Sequence, residues 1–106
     1  MSRLPKLRQH RADLLRHIGA IEEMRRGSVT RQFLKVKRPD SEESVFTGPY
    51  PLFTCKKNGR TVGRRLHDPD EVRKLENQVE NYHSFRRLCS QLVEVSEAIC
   101  EEKDPD

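Results

Sequence analysis

The dipeptide Asn58-Gly59 constrains the fold of this chain more than any other feature of its sequence. Asn and Gly best supply the two positive φ angles of a type I′ turn, and short β-compatible segments flank them here. The sequence therefore predicts a β-hairpin. Pairing outward from the turn gives three predicted cross-strand pairs: Lys56 with Thr61, Cys55 with Val62, and Phe53 with Arg64. In this register Phe53, Cys55 and Val62 share the buried face.

A further strand is predicted before the hairpin. Residues 28–38 alternate in polarity and are rich in β-branched and aromatic side chains. Residues 39–48 are acidic and Ser-rich without periodicity, which predicts a mobile loop. The segment 28–66 is thus expected to form a small, basic, three-stranded antiparallel sheet.

The first helix is predicted over residues 3–26, with Gly27 as its terminator. Its apolar residues follow the 3-4 spacing of a coiled-coil face. They are Leu4, Leu7, Leu14, Ile18 and Ile21. The outer face is basic, and the sequence leaves two interpretations of it open: contact with a phosphate backbone, or an ordinary solvated surface.

The second helix is predicted over residues 69–101. Asp68 is the expected N-cap, Pro69 occupies the first helical position, and Glu71 is placed to complete a capping box. The tail at 102–106 is expected to fray.

Together these elements predict an α+β protein of order α-β-β-β-α. Residues 1–106 are expected to form a single domain with two long antiparallel helices and the small sheet at one end. With 33% hydrophobic and 36% charged residues, the chain has a thin core for its length.

Charge is distributed unevenly along the chain. The net charge of +4 combines +8 over residues 1–38 and +5 over residues 49–67 with −3 over residues 39–48 and −6 over residues 68–106. No Asp or Glu occurs between Tyr50 and Leu66. Such a bias favours a polyanionic partner.

Basic residues interleaved with aromatic residues on β elements predict a nucleic-acid-binding surface, with DNA favoured over RNA. The candidate residues are Arg25, Arg26, Arg31, Lys35, Lys37, Lys56, Lys57, Arg60, Arg64 and Arg65. These cations are expected to converge on one sheet edge and to contact phosphates. The predicted role is that of a non-enzymatic accessory protein.

Two alternatives to this function remain open. Lys and Arg on edge strands also prevent aggregation, so the basic hairpin can be a solubility device. The protein can also be an adaptor that docks on a protein partner or forms a homodimer through its helices. The functional surface would then be apolar: Leu4, Leu7, Ile18, Leu92, Val95 and Ile99.

The sequence contains no recognisable catalytic motif. It has no glycine-rich phosphate loop, no GxSxG and no HExxH, so neither catalysis nor a cofactor is expected. Its three cysteines form no CxxC pair, and His10 and His17 have weak ligand spacing, so no metal site is predicted. The absence of a long apolar run and of a secretory signal predicts a soluble, cytoplasmic protein without a membrane span.

The order of short motifs resembles a group of small uncharacterised prokaryotic proteins that are often encoded near transposases and other mobile elements. The resemblance covers roughly residues 20–100 and rests on residues 24–29, Gly48-Pro49-Tyr50, Asn58-Gly59-Arg60 and residues 79–88. It implies a mobile-element setting for this chain, because the group has no established activity. Members typically carry a cysteine cluster that suggests a metal knuckle before Gly-Pro-Tyr, whereas residues 35–47 here contain no cysteine.

Overall fold

Two helices and three strands follow one another in the order that the sequence predicts, and the α+β class is confirmed. The structure is a computed structural model that describes residues 2–40 and 42–103. Its elements are α1 (Leu4–Gly19), β1 (Ser28–Lys37), β2 (Ser44–Lys57), β3 (Arg60–Arg65) and α2 (Pro69–Lys103). The chain divides into two compact units, which are named here the sheet unit (Arg25–Val79) and the helical unit (Met1–Met24 with Glu80–Asp106).

The predicted hairpin joins β2 and β3. Asn58 and Gly59 have φ angles of 52° and 78°, as a type I′ turn requires. All three predicted cross-strand pairs are present in the antiparallel register of β2 and β3. Local turn chemistry was therefore sufficient to fix this part of the fold.

Strand β2 is the central strand of the antiparallel sheet, with β1 and β3 at its edges. The pairing of β1 with β2 is interrupted between Gln32 and Leu34, where Gly48 and Pro49 stand opposite Phe33 alone. Gly48 has a φ of 118°, and a Cβ there would lie 2.8 Å from the carbonyl oxygen of Gln32. Glycine thus permits the two strands to approach at this bulge.

Beyond the bulge, the two strands β1 and β2 continue without β3. Residues 34–37 pair with residues 44–47 to form a two-stranded ribbon, named here the β-arm. The prediction of a loop over residues 39–48 was wrong for residues 44–48, because β-prone Val45, Phe46 and Thr47 extend β2. Ser41 lies outside the described residues.

The core of the sheet unit lies between the sheet and the first part of α2. Its buried residues are Phe53, Leu66, Val72, Leu75 and Val79, with Val29 and Cys55 packed against them. Phe53 and Cys55 thus occupy the predicted buried face. Val62 does not join them and remains 44% exposed, because it lies on the edge strand β3 near the turn.

Helix α1 ends at Gly19, not at residue 26 as predicted. Residues 21–26 are not helical. They form hydrogen bonds with polar groups of α2, one in each of the two units. In the helical unit, Asn81 Nδ2 donates to the carbonyl oxygen of Glu23 at 2.9 Å. In the sheet unit, the backbone N–H of Arg25 donates to the carbonyl oxygen of Gln78 at 3.0 Å. These long-range contacts replace the helical hydrogen bonds that periodicity alone predicted.

In the helical unit, α1 packs antiparallel on the second part of α2, as predicted. Leu7 and Leu14 are buried with Val95. The antiparallel direction follows from Arg3, at the start of α1, whose guanidinium lies 3.9 Å from the carboxylate of Glu102 near the end of α2.

The start of α2 follows the prediction in part. Asp68 caps the helix, because its Oδ1 accepts a hydrogen bond from the backbone N–H of Asp70 at 3.0 Å. The predicted capping box is not formed: the Glu71 carboxylate instead accepts a hydrogen bond from Arg64 Nη1 at 2.5 Å. The helix continues through Lys103, two residues past the predicted end, and residues 104–106 of the predicted frayed tail lie outside the described residues.

Candidate nucleic-acid interface

A cleft of about 400 Å³ opens beside the β2–β3 hairpin and is named here the hairpin cleft. Its lining residues are Arg26, Gly27, Ser28, Thr54, Cys55, Lys56 and Thr61. They supply two cations and three hydroxyl groups, and no carboxylate. Hydroxyl, ammonium and guanidinium groups are among the protein groups that donate hydrogen bonds to phosphate oxygens.

Strand pairing and one glycine build this cleft. Ser28 pairs with Thr54, and Lys56 pairs with Thr61, so their side chains lie on one face of the sheet. Gly27 has a φ of 142°, and a Cβ there would lie 2.6 Å from the carbonyl oxygen of Thr54. Only glycine allows the chain to cross β2 this closely, which brings Arg26 into the cleft lining.

Four of the ten candidate cations contact other groups of the sheet unit. Arg25 Nε donates to Gln78 Oε1 at 3.0 Å. Arg31 and Arg64 form ion pairs with α2, at 3.2 Å to Glu76 and 2.5 Å to Glu71. The Arg65 guanidinium lies 3.5 Å from the ring centroid of Tyr50. These four arginines therefore stabilise the sheet unit and are less available to a ligand.

The other six candidate cations form no ion pair within the described residues. They are Arg26, Lys35, Lys37, Lys56, Lys57 and Arg60. Four of them, Arg26, Lys56, Lys57 and Arg60, lie at the hairpin and are named here the hairpin group. Lys35 and Lys37 lie instead on the β-arm.

The two sets of free cations do not converge on one sheet edge, contrary to the prediction. Lys35 pairs with Phe46, which precedes Lys56 by ten residues on the same strand. At 3.3 Å per residue, that separation is about 33 Å. A ligand that contacts both sets must therefore span most of β2.

The β-arm presents exposed aromatic rings beside its two lysines. Phe46 is 71% exposed and Phe33 is 60% exposed. Lys35 stands directly opposite Phe46, and Phe33 and Lys37 lie two residues on either side of Lys35 in β1, so these four side chains share one face, named here the arm face. The sequence prediction missed Phe46 because it assigned that residue to the loop. The β-prone run of residues 45–47 was the signal that could have found it.

A second cavity, of about 680 Å³, lies between the sheet and the start of α2 in the sheet unit. Its lining includes three arginines, and each has an internal contact: Arg31 with Glu76, Arg73 with Asp70, and Arg65 with Tyr50. The hydrogen bond from Thr47 and the proximity of Arg65 lower the pKa of the Tyr50 phenol below 10.0. The sequence prediction missed this cavity because three separate segments form its walls.

Searches for other kinds of site give negative findings. Across residues 2–40 and 42–103, no three His, Cys, Asp or Glu side chains are grouped to hold a metal ion. None of the helices described here is both long and apolar enough to cross a membrane. Comparison with protein-family models, with curated proteins and with solved structures finds no match to this chain.

Proposed function

We propose that this protein binds nucleic acid without catalysing a reaction, and that the hairpin group contacts phosphates, with Arg26 and Lys56 at the hairpin cleft and Lys57 and Arg60 at the adjoining turn. The observation that carries the proposal is the composition of this cleft. Arg26 and Lys56 lie there beside the hydroxyl-bearing residues Ser28, Thr54 and Thr61, and none of the lining residues is acidic. Arginine and lysine supply the electrostatic attraction, while hydroxyl groups fix the position of a phosphate.

The charge of the sheet unit supports the same conclusion. Residues 25–79 carry a net charge of +6, whereas the helical unit carries −2. The cations that bind Glu71, Glu76 and Gln78 are distinct from the hairpin group. The hairpin group is thus able to contact a ligand without disrupting an internal ion pair.

The packing of the helical unit favours nucleic acid over the alternative of a helix-based adaptor. The apolar residues proposed for an adaptor surface include Leu7 of α1 and Val95 of α2, which are buried in the same hydrophobic cluster. Leu92 and Ile99 pack against that core. Four of the six residues named for the adaptor surface are therefore already packed inside the chain.

The test is binding of labelled DNA and RNA oligonucleotides by fluorescence anisotropy over a salt series. Wild-type affinity should fall steeply with salt, since each phosphate contact contributes about 0.7–0.9 to the log–log slope. The variant Lys56→Glu/Lys57→Glu/Arg60→Glu should bind at least about tenfold more weakly and show a smaller slope.

A matched control is Lys6→Glu/Arg8→Glu/Arg11→Glu. These three residues are exposed on α1, form no ion pair among the described residues, and give the same change in net charge. The control should keep wild-type affinity. Equal loss in both variants would mean that the hairpin group is not a specific phosphate site, and no binding by the wild type at low salt would refute the proposal.

A further inference from the structure

The arm face combines exposed aromatic rings with lysine side chains. Phe33 and Phe46 leave most of their ring surface in water, although burial of such rings normally stabilises a fold. Lys35 and Lys37 lie between and beside these rings and form no ion pair in the described part of the chain. The arm face therefore alternates flat apolar surfaces with positive charges.

This alternation matches the chemistry of a nucleic-acid strand whose bases are unpaired. Each unpaired base exposes an apolar face that stacks on an aromatic ring, and each phosphate attracts a cation. In a duplex the base faces are already stacked on one another, so only base edges and phosphates remain accessible and no base face is available to an aromatic ring. Aromatic rings on a β-ribbon thus discriminate between the two forms of nucleic acid.

We propose that the arm face stacks unpaired bases, and that the protein consequently prefers single-stranded over duplex nucleic acid. This inference rests on the proposed function and names the ligand class. The occupant is a polyanion with aromatic bases because both properties of the face are then used: Phe33 and Phe46 by the bases, and Lys35 and Lys37 by the phosphates.

The surroundings of the β-arm also determine how the arm face is related to the hairpin cleft. The connection beyond Lys37 carries one cation, Arg38, and three carboxylates, Asp40, Glu42 and Glu43, and its net charge of −2 disfavours a phosphate backbone at the tip. The hairpin group lies in the opposite direction, about 33 Å from Lys35 along β2. Because side chains alternate along β1, Ser28 of the hairpin cleft lies on the opposite face of the sheet from Phe33 and Lys35. The arm face and the hairpin cleft are therefore separate contact sites.

The opposite face of the β-arm provides a matched control. Leu34 pairs with Thr47, and Val36 pairs with Val45, so this face is aliphatic and carries no aromatic ring. Leu34 is also exposed, at 39%. Leu34→Ala removes a side chain from the same ribbon without removing a stacking surface.

The experiment measures the affinity of the full chain for single-stranded oligo-dT, single-stranded oligo-U and a mixed-sequence DNA duplex of equal length. The wild type should bind at least one of the single strands at least about tenfold more tightly than the duplex. Phe46→Ala and Phe33→Ala should each weaken single-strand binding by about 5- to 140-fold, the effect of losing one stacked base, and leave duplex binding within about twofold. Phe46→Trp should retain single-strand binding, and Leu34→Ala should match the wild type. Circular dichroism checks that each variant is folded.

The outcomes separate this inference from the proposed function. If the wild type binds no nucleic acid, both fail. If it binds duplex and single strands equally, or if Phe46→Ala binds like the wild type, the stacking inference fails while phosphate binding at the hairpin cleft stands. If Phe46→Ala instead converts a dimer into a monomer in light scattering and keeps its affinity, the arm face joins two copies of the chain and the inference is overturned. The comparison of oligo-dT with oligo-U identifies the strand as DNA or RNA.

Discussion

Gly27 is the residue on which the geometry of the hairpin cleft depends. Its φ of 142° lies in a region that L side chains rarely adopt, and its Cα faces the backbone of β2. A Cβ would lie 2.6 Å from the carbonyl oxygen of Thr54 and 2.7 Å from Cε2 of Phe53. A side chain at this position would therefore displace both the cleft and a core aromatic ring.

The first prediction concerns this glycine. Gly27→Ala should lower the free energy of unfolding by about 1–3 kcal/mol, because it combines backbone strain with a steric clash. Urea denaturation followed by circular dichroism measures the change. Gly19→Ala is the control, since Gly19 is the last residue of α1 and, apart from its chain neighbours and the nearby backbone of α1, no atom lies within 4 Å of the Cβ position. That substitution should be neutral or stabilise by up to about 1 kcal/mol. Equal effects at the two sites would contradict the predicted contact.

A second residue-scale prediction concerns the ionisation of Tyr50. The hydrogen bond from Thr47, and then the hydrogen bond and charge of Arg65, lower the pKa of the phenol below 10.0. A lowered pKa means that the phenolate, relative to the phenol, is more stable in the folded state than in the unfolded state. The resulting stabilisation is present above pH 10 and is lost as the pH falls through the folded-state pKa, so stability at neutral pH is unaffected.

The Tyr50 titration is measurable by ultraviolet absorbance in a Tyr82→Phe background, since the chain has only two tyrosines. Tyr50 should ionise below pH 10, and the added substitution Thr47→Val should raise its midpoint. A midpoint that does not move with Thr47→Val would show that this hydrogen bond is not the main cause.

At the scale of elements, the beginning of α2 shows how local signals and long-range contacts compete. Asp68 satisfies the backbone N–H of Asp70, as its sequence position predicts. Glu71 has the correct spacing for a capping box but binds Arg64 on β3 instead. A carboxylate forms a charge-assisted hydrogen bond with either donor, but only the arginine also brings an opposite charge to it.

The cap gives the element-scale prediction. Asp68→Ala should lower the free energy of unfolding by about 1 kcal/mol, because one N-terminal N–H of α2 loses its partner. Thermal or urea denaturation measures this change. Asp68→Asn, which keeps an accepting oxygen, should recover most of the loss; if it does not, the contribution of Asp68 arises from its charge near the helix N-terminus and not from capping geometry.

The hairpin could be predicted from the sequence, whereas the end of α1 and the β-arm could not. The hairpin and its register were predictable because Asn58-Gly59 encodes its turn locally. The end of α1 was not, because Gln78, 53 residues away, binds Arg25 and competes with continued helix. The β-arm was missed because three acidic residues before Ser44 suggested a loop, while β pairing to residues 34–37 decided the outcome.

The candidate site was predictable as a set of residue types but not as an arrangement. All ten candidate cations lie in the sheet unit, in which positive charge is concentrated. Some of these cations bind Glu71, Glu76 or Gln78, and these partners approach them only in the folded chain. The sequence therefore does not show which cations lack an internal contact. The hydroxyl groups of the hairpin cleft come from three separate segments and had no signal in the sequence.

At the scale of the whole molecule, two separate hydrophobic cores support two differently charged units. Phe53, Leu66 and Leu75 belong to one core, and Leu14 and Val95 belong to the other. Every residue in the proposed ligand contacts lies in the sheet unit. Stability and binding should therefore be separable by mutation.

Leu14→Ala tests this separation. The substitution removes a buried side chain from the helical unit and should cost about 2–5 kcal/mol of unfolding free energy. Nucleic-acid affinity, measured by anisotropy where circular dichroism shows the variant to be folded, should stay within about twofold of the wild type. A tenfold loss of affinity in the folded variant would mean that the helical unit contributes to binding.

The strand order β1-β2-β3 leaves both outer strands with unpaired backbone groups along one side. Lys35 and Lys37 lie on one of these edges and Arg60 on the other, where positive charge opposes pairing with the sheet of a second molecule. Replacing these residues with alanine or glutamine would remove that protection together with the phosphate contact, so precipitation could be mistaken for weakened binding. Glutamate keeps each edge charged, and charge reversal is therefore the substitution that isolates ligand recognition from self-association.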